Sequence, residues 1–140
     1  MASSLHELIA ERRRSAHVDF DIDVEKRTVL VRFRKKVTAR DIRFYAGRLR
    51  TDPEFDPEFS EIVDLTEVQN LDLEADDFLK LADEIDCFAP AAWRAFVVRN
   101  SVQHHAARMH KLLRGQANMR IFSFVEPARA WIESRPLTSR

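Results

Sequence analysis

The chain of 140 residues has one cysteine, two glycines and one tyrosine. A lone Cys87 excludes an internal disulfide and suits a reducing compartment, so a cytoplasmic location is expected. Two glycines and five prolines leave little room for long flexible linkers, and no glycine-rich phosphate loop follows an apolar segment. No uncharged apolar run is long enough to cross a bilayer, so no transmembrane segment is expected. The N-terminus carries acids and three arginines where a signal peptide needs an apolar stretch. Nor is there an excess of one sign, since 23 Lys and Arg balance 23 Asp and Glu.

What the chain does have is the material of one soluble domain. It is 45% hydrophobic and 33% charged, and its ten phenylalanines are ample for a core. The neutral total hides a segregation. Residues 1–25 carry a net charge of −3, residues 26–50 of +9, residues 51–90 of −13 and residues 91–140 of +7. Blocks this polar are neutralised by neighbouring elements, by a second copy or by charged partners.

Residues 1–15 read as an N-terminal arm or short helix, with Ser4 and Glu7 at capping-box spacing and a thin stripe of Leu5, Leu8 and Ile9. Val18, Phe20, Ile22 and Val24 alternate with acids, and Val29, Val31 and Phe33 alternate with basic residues, which predicts an antiparallel hairpin with a charged back. Thr38 caps a helix to about Arg50, with Asp41 at the capping-box position and Gly47 suggesting tight packing. The tandem D-P-E-F-D-P-E-F of residues 52–59 is a turn-rich connector. Residues 61–65 form a short apolar strand, residues 66–71 connect it onward, and a helix runs from about Asp72 to Phe88 with Phe78, Leu81, Ala82, Ile85 and Phe88 inward. Residues 93–98 form the next strand. Ser101 caps a helix to Arg114 with an apolar stripe of Val102, Ala106, Met109 and Leu113, residues 119–124 form the last strand, and a closing helix starts at Pro127 with Ala130 and Trp131 inward. The order β-β-α-β-α-β-α-β-α implies an α/β fold: a mainly parallel five-stranded sheet with an antiparallel edge strand and four crossover or packing helices.

Chemistry is sparse. His104, His105 and His110 share one helix, but no two stand four apart on one face, so no metal site is expected. No nucleophile elbow is present, and no catalytic residue or cofactor is expected. Thr66 and Ser101 lie just past expected strand ends, where sites gather in α/β folds, though both also read as an ordinary loop hydroxyl and a helix cap. The helix at 101–114 is basic, yet the chain is neutral and its aromatic residues sit at core spacings, so nucleic acid is not the expected partner.

The segments E-I-V-D-L-T-E-V (61–68), A-F-V-V (95–98), A-A-R-M-H-K-L-L (106–113) and I-F-S-F-V-E-P-A-R-A-W-I (121–132) together resemble the SpoIIAA-like family, relatives of STAS domains. In that family a strand ends in an Asp-Leu pair, a helix carries an Arg-Met pair and the chain closes on an Ala-Trp helix. The resemblance covers roughly residues 17–134 and places a single SpoIIAA-like domain at 16–134, between the N-terminal arm and a tail at 135–140. Its motifs are mostly packing signals, which speak for fold more than for function. The resemblance implies a non-enzymatic domain. Anti-sigma-factor antagonists of this kind bind partner proteins and are switched by phosphorylation of a serine in a D-S-S-G turn at a helix start. Here the matching residues are Asp72-Leu73-Glu74-Ala75: Asp72 fits, Glu74 stands where the serine would be, and the glycine is missing. A carboxylate there carries about half the charge of a phosphate. Another branch looks related to lipid-carrying CRAL-TRIO domains.

Two functions follow as expectations. The first is a bacterial regulatory or adaptor domain that binds an unidentified protein or a second copy of itself, through Thr66, Asp72, Glu74, Asp76, Asp77, Arg99 and Ser101. The second is a carrier or sensor of an apolar small molecule or lipid, held near Phe44, Phe78 and Met109. An enzyme ranks third.

Overall fold

The computed structural model describes residues 4–72, 86–114 and 118–136. Its elements are α1 (Leu5–Arg12), β1 (Val18–Asp23), β2 (Thr28–Thr38), α2 (Ala39–Arg50), β3 (Ser60–Asp72), β4 (Arg94–Val97), α3 (Ser101–Arg114), β5 (Met119–Phe122) and α4 (Val125–Glu133). Most of the helix expected at 72–88 lies outside the described residues. At its two ends the structure differs from the expectation, because Asp72 closes β3 and residues 86–88 are not helical.

The five strands lie in the order β1-β2-β3-β4-β5, with β1 antiparallel to β2 and the other neighbours parallel. Right-handed crossovers between sequential parallel strands all fall on one face of the sheet. That face, the inner one, carries Val18, Phe20, Val31, Phe33, Val63 and Phe96 against Tyr45 and Leu49 of α2 and Ala107 of α3. Among the described residues Ala128 and Ile132 of α4 close the outer face by packing on Ile62, Ala95 and Val97, with Leu30 of β2 at the margin. The expectation for this helix put Ala130 inward, but Ala130 is exposed and the inward pair is Ala128 and Ile132. On the uncovered back of the hairpin Asp19 pairs with Arg34, and Arg32 lies 3.8 Å from Asp19 and 3.9 Å from Asp21. Such solvated pairs contribute tenths of a kcal/mol each.

Local chemistry explains the joints. Thr38 and Asp41 form a complete capping box at the start of α2. In the tandem connector each Asp-Pro-Glu-Phe tetrad makes the same turn. Asp52 and Asp56 accept from Phe55 and Phe59 through their carbonyls and from Glu54 and Glu58 through their side chains. Each turn delivers its phenylalanine inward: Phe59 is buried, and Phe55 meets Phe88 edge to face. The first turn also holds the N-terminus. Arg13 forks onto Asp52 at 2.7 and 2.9 Å and reaches Glu54 at 2.8 Å. Burial pushes the Asp52 carboxyl up, but the bonds from Arg13 and the Glu54 N–H hold it below the usual range. The N-terminal segment is thus a short helix anchored by an arginine, with Leu5 and Leu8 left exposed.

Three sequence expectations are corrected. Residues 66–71 are strand, because β2 runs on to Thr38 and pairs with them, Lys36 opposite Asn70 and Val37 opposite Leu71. Register shifts between Arg32 and Arg34 and between Lys35 and Lys36, with Lys35 at φ 63°, break the alternation that would have signalled it. The cap of α3 is Asn100 rather than Ser101, since the Asn100 side chain accepts from the Gln103 N–H at 2.9 Å. Gly47 is not tightly packed: a methyl group built there meets nothing within 4 Å. Gly47→Ala should therefore stabilise the fold by about 0.5–1 kcal/mol. A higher urea midpoint at unchanged slope would show this, and a lower midpoint would contradict it.

Candidate functional site

Strand alternation places Glu61 on the inner face with Val63 and Leu65, and Arg94 with Phe96 and Val98. The two charged residues stand opposite one another in the β3–β4 register. Arg94 donates to Glu61 Oε1 from Nε at 2.8 Å and from Nη2 at 2.6 Å, and its Nη1 donates to Asp86 Oδ2 at 2.5 Å. The Tyr45 hydroxyl, brought in by α2, donates to Glu61 Oε2 at 2.5 Å. Phe88 lies under the guanidinium at 4.9 Å, and its N–H donates to Asp86 Oδ1 at 3.1 Å. From α3, His110 Nε2 stands 4.0 Å from Asp86 Oδ2. The side chains of Glu61, Asp86 and Arg94 are only 2%, 3% and 6% exposed.

Burial would lower the Arg94 pKa, but Glu61 and Asp86 more than offset it and hold the guanidinium charged. Burial and then Glu61 push the Tyr45 hydroxyl well above its ordinary value. Cys87 is pushed up to about 11 by burial, then by Glu61 and Asp86. Both groups stay protonated at neutral pH, the reverse of what a nucleophile or general base needs.

This cluster forms one wall of a cavity of about 110 Å³ between α2, α3 and the inner face of the sheet. Among the described residues its other walls are apolar: Phe33, Val37, Ile42, Val63, Leu65, Leu71 and Phe96, with Ala106 and Ala107 of α3. Phe44 and Met109, expected beside a ligand, are not among these lining residues; Arg48 stacks over Phe44 at 5.1 Å. Phe78 lies outside the described residues.

The binding residues expected from sequence fall into three groups. Thr66 lies within β3 and bonds back to Asp64 through both its N–H at 2.9 Å and its hydroxyl at 2.7 Å. Asp72 sits at the end of β3 with Lys36 at 3.5 Å. Arg99 donates to the Val68 carbonyl at 2.9 Å and brings the start of α3, with exposed Ser101, beside β3. Glu74, Asp76 and Asp77 lie outside the described residues. Among the described residues the strands lie in sequential order, without the reversal that makes a switch-point crevice in doubly wound folds.

Sequence reasoning missed Tyr45, Glu61, Asp86, Arg94 and His110. The signal was there in part: Glu61 and Arg94 each occupy a core-facing position of an apolar strand. It also set the orientation of α3 about a quarter-turn away from the structure. The inward residues are Gln103, Ala107 and, partly, Ala106, Met109 and His110, while Val102 is 63% and Leu112 74% exposed. Gln103 fixes this rotation. It donates to the Val68 carbonyl at 3.0 Å and accepts from the Arg99 N–H at 2.8 Å.

No family model and no curated protein matches the chain. Among solved structures, an uncharacterised protein of the DUF3478 family from Shewanella loihica PV-4, with a SpoIIAA-like fold, overlays with a TM-score of 0.57. The match covers 85% of this chain and 97% of that one at 20% identity, which establishes the fold. The chain has a SpoIIAA-like fold. Among the described residues no helix is long and apolar enough to cross a membrane.

The state of Cys87 can be checked directly. With a thiol held up to about 11, iodoacetamide should alkylate native protein at pH 8 far more slowly than unfolded protein. Equal rates would contradict the buried, acid-flanked environment.

Proposed function

We propose that this SpoIIAA-like chain is a non-enzymatic, cytoplasmic regulatory or adaptor domain of bacterial type, which acts by binding protein through the solvent face of α3. The observation that carries the reading is Leu112, 74% exposed in the last turn of that helix. Exposed His104, His105, Arg108 and Lys111 share the solvent side of the helix with it, and the helix contains no acid. The solvated side of a helix is ordinarily polar, and a large exposed apolar side chain beside cations has the composition of a contact patch. The matching partner is an acidic protein surface with an apolar centre. Among the described residues of the acidic block Glu54, Glu58, Glu67 and Asp72 are exposed, so a second copy offers acids to such a surface. Non-enzymatic action is supported by the protonated Tyr45 and Cys87, which are poor reactants at neutral pH.

Charged partners should be recruited faster and held more tightly at low salt. Leu112→Glu and Arg108→Glu are each expected to weaken the complex about tenfold or more, with stability changed by no more than about 0.5 kcal/mol. Native mass spectrometry at low and moderate salt measures self-association, and calorimetry measures a partner recovered by pull-down. Binding that neither substitution alters would refute the assignment of this surface.

A further inference from the structure

The two edges of the sheet are finished differently. At β1 the N-terminal segment lies alongside the strand. The Phe20 N–H donates to the Arg13 carbonyl at 3.0 Å, the Ser15 N–H donates to the Val18 carbonyl at 2.7 Å, and Arg14 bridges to Asp19. β1 also carries Asp19, Asp21 and Asp23, charges of the kind that discourage pairing at an edge. At β5 neither device is present among the described residues. We infer that the β5 edge accepts an extended segment of a partner protein as an added strand, with an acid beside Arg120 and an apolar side chain beside Phe122.

The main chain sets the kind of partner. β5 is the last strand of the sheet and pairs with β4 alone. The carbonyls of Asn118 and Phe122 accept from the N–H groups of Arg94 and Val98 at 2.9 and 2.8 Å. Strand alternation therefore turns the N–H and C=O of Met119 and Ile121 the other way, toward the open edge. Among the described residues no group bonds to them there. The strand M-R-I-F carries one charge, no proline and no register shift, so nothing in it blunts the edge. Its four residues limit the added strand to a short stretch.

Side chains set its composition. On the outer side Phe122 lies 5.8 Å from Trp131, which stacks on Trp93 at 4.7 Å, and Phe124 just beyond the strand is 71% exposed. Aromatic and arginine side chains of this kind supply the energetic centres of interfaces. Exposed Arg120 lies over Trp131 at 5.6 Å and makes no ion pair among the described residues. The neighbouring α4 adds Arg129 against Glu126 and Glu133, and Glu133 is taken by Lys26 at 3.3 Å. On the inner side α3 contains no acid. The charge left over is positive, so an acidic strand fits. A second copy's β5 would bring its own Arg120 and basic α3 to the same edge, and like charges oppose that pairing.

The probe is the peptide acetyl-T-F-V-E-T-amide, whose antiparallel pairing puts its phenylalanine by Phe122, its valine opposite Ile121 and its glutamate by Arg120. Two controls replace the glutamate with lysine and the valine with N-methylvaline. Amide NMR of the full chain should show the Met119 and Ile121 signals shifting and their hydrogen exchange slowing as the first peptide is added. It should bind about tenfold tighter than the lysine form, and the N-methyl form should not bind. Arg120→Glu should reverse the preference between glutamate and lysine. Ile121→Pro removes an N–H that faces the open edge, where a strand tolerates proline, and should lose the peptide. Leu112→Glu should bind it unchanged, so failure at this edge and failure of the α3 surface are read separately. No shift at Met119 and Ile121 with millimolar peptide, or equal binding of the N-methyl form, overturns strand addition. A preference that Arg120→Glu leaves unaltered overturns the charge assignment. A dimer of the free protein that Ile121→Pro dissociates puts a second copy on the edge and overturns the choice of partner.

Discussion

A buried ion pair between adjacent parallel strands sets the geometry of the inner core. Glu61 and Arg94 face each other across the β3–β4 register, out of contact with water. Taking two charges out of water is costly, and such a pair persists only when each partner is well bonded. Here the demand recruits neighbours: Tyr45 from α2, and Asp86 with Phe88 from the segment that leads into β4. The Glu61–Arg94 pair therefore ties together two strands, a helix and a connector. Register is fixed as well. A slip of β4 by one residue would put Ala95 opposite Glu61 and turn Arg94 toward the apolar layer under α4.

The same arrangement explains what is left open. Among the described residues α2 and α3 pack on the inner face, and the outer face is covered by α4. The hairpin back stays wet and is furnished with Asp19, Asp21, Arg32 and Arg34 rather than apolar groups. On the inner face α3 approaches through small alanines and is held in rotation by Gln103. Small residues leave space beneath the helix, which is the cavity, and the rotation turns Leu112 outward. The internal cavity and the external apolar patch are thus two consequences of one helix placement.

Much of the fold was legible where local physics acts alone. The acid–base alternation of residues 18–34, the Thr38–Asp41 box and the alternation of strands with helices gave the hairpin, α2 and the parallel sheet. Legibility failed where distant partners decide. The polar run 66–71 is strand only because β2 extends beside it, past bulges that hide the period. Helical spacing in α3 offered Val102, Ala106, Met109 and Leu113 as a core stripe, but Gln103 and its bond to Val68 turn the helix so that Val102 is exposed and Ala106 and Met109 are only half-buried. The candidate cluster was harder still. Glu61 and Arg94 are far apart in sequence, and a charge at a core-facing strand position reads as an exception until its partner is seen opposite.

The most direct test of this account is a double-mutant cycle at the pair, using Glu61→Leu, Arg94→Met and the combination, followed by urea unfolding. Each single change leaves a buried charge without its main partner and should cost about 3–5 kcal/mol. The double variant should cost less than the sum of the two, because it removes Glu61 and Arg94 together and leaves only Asp86 without the guanidinium. Small single effects, or losses that simply add, would show that the two side chains do not act as one buried unit and would contradict the claim that they organise the inner core.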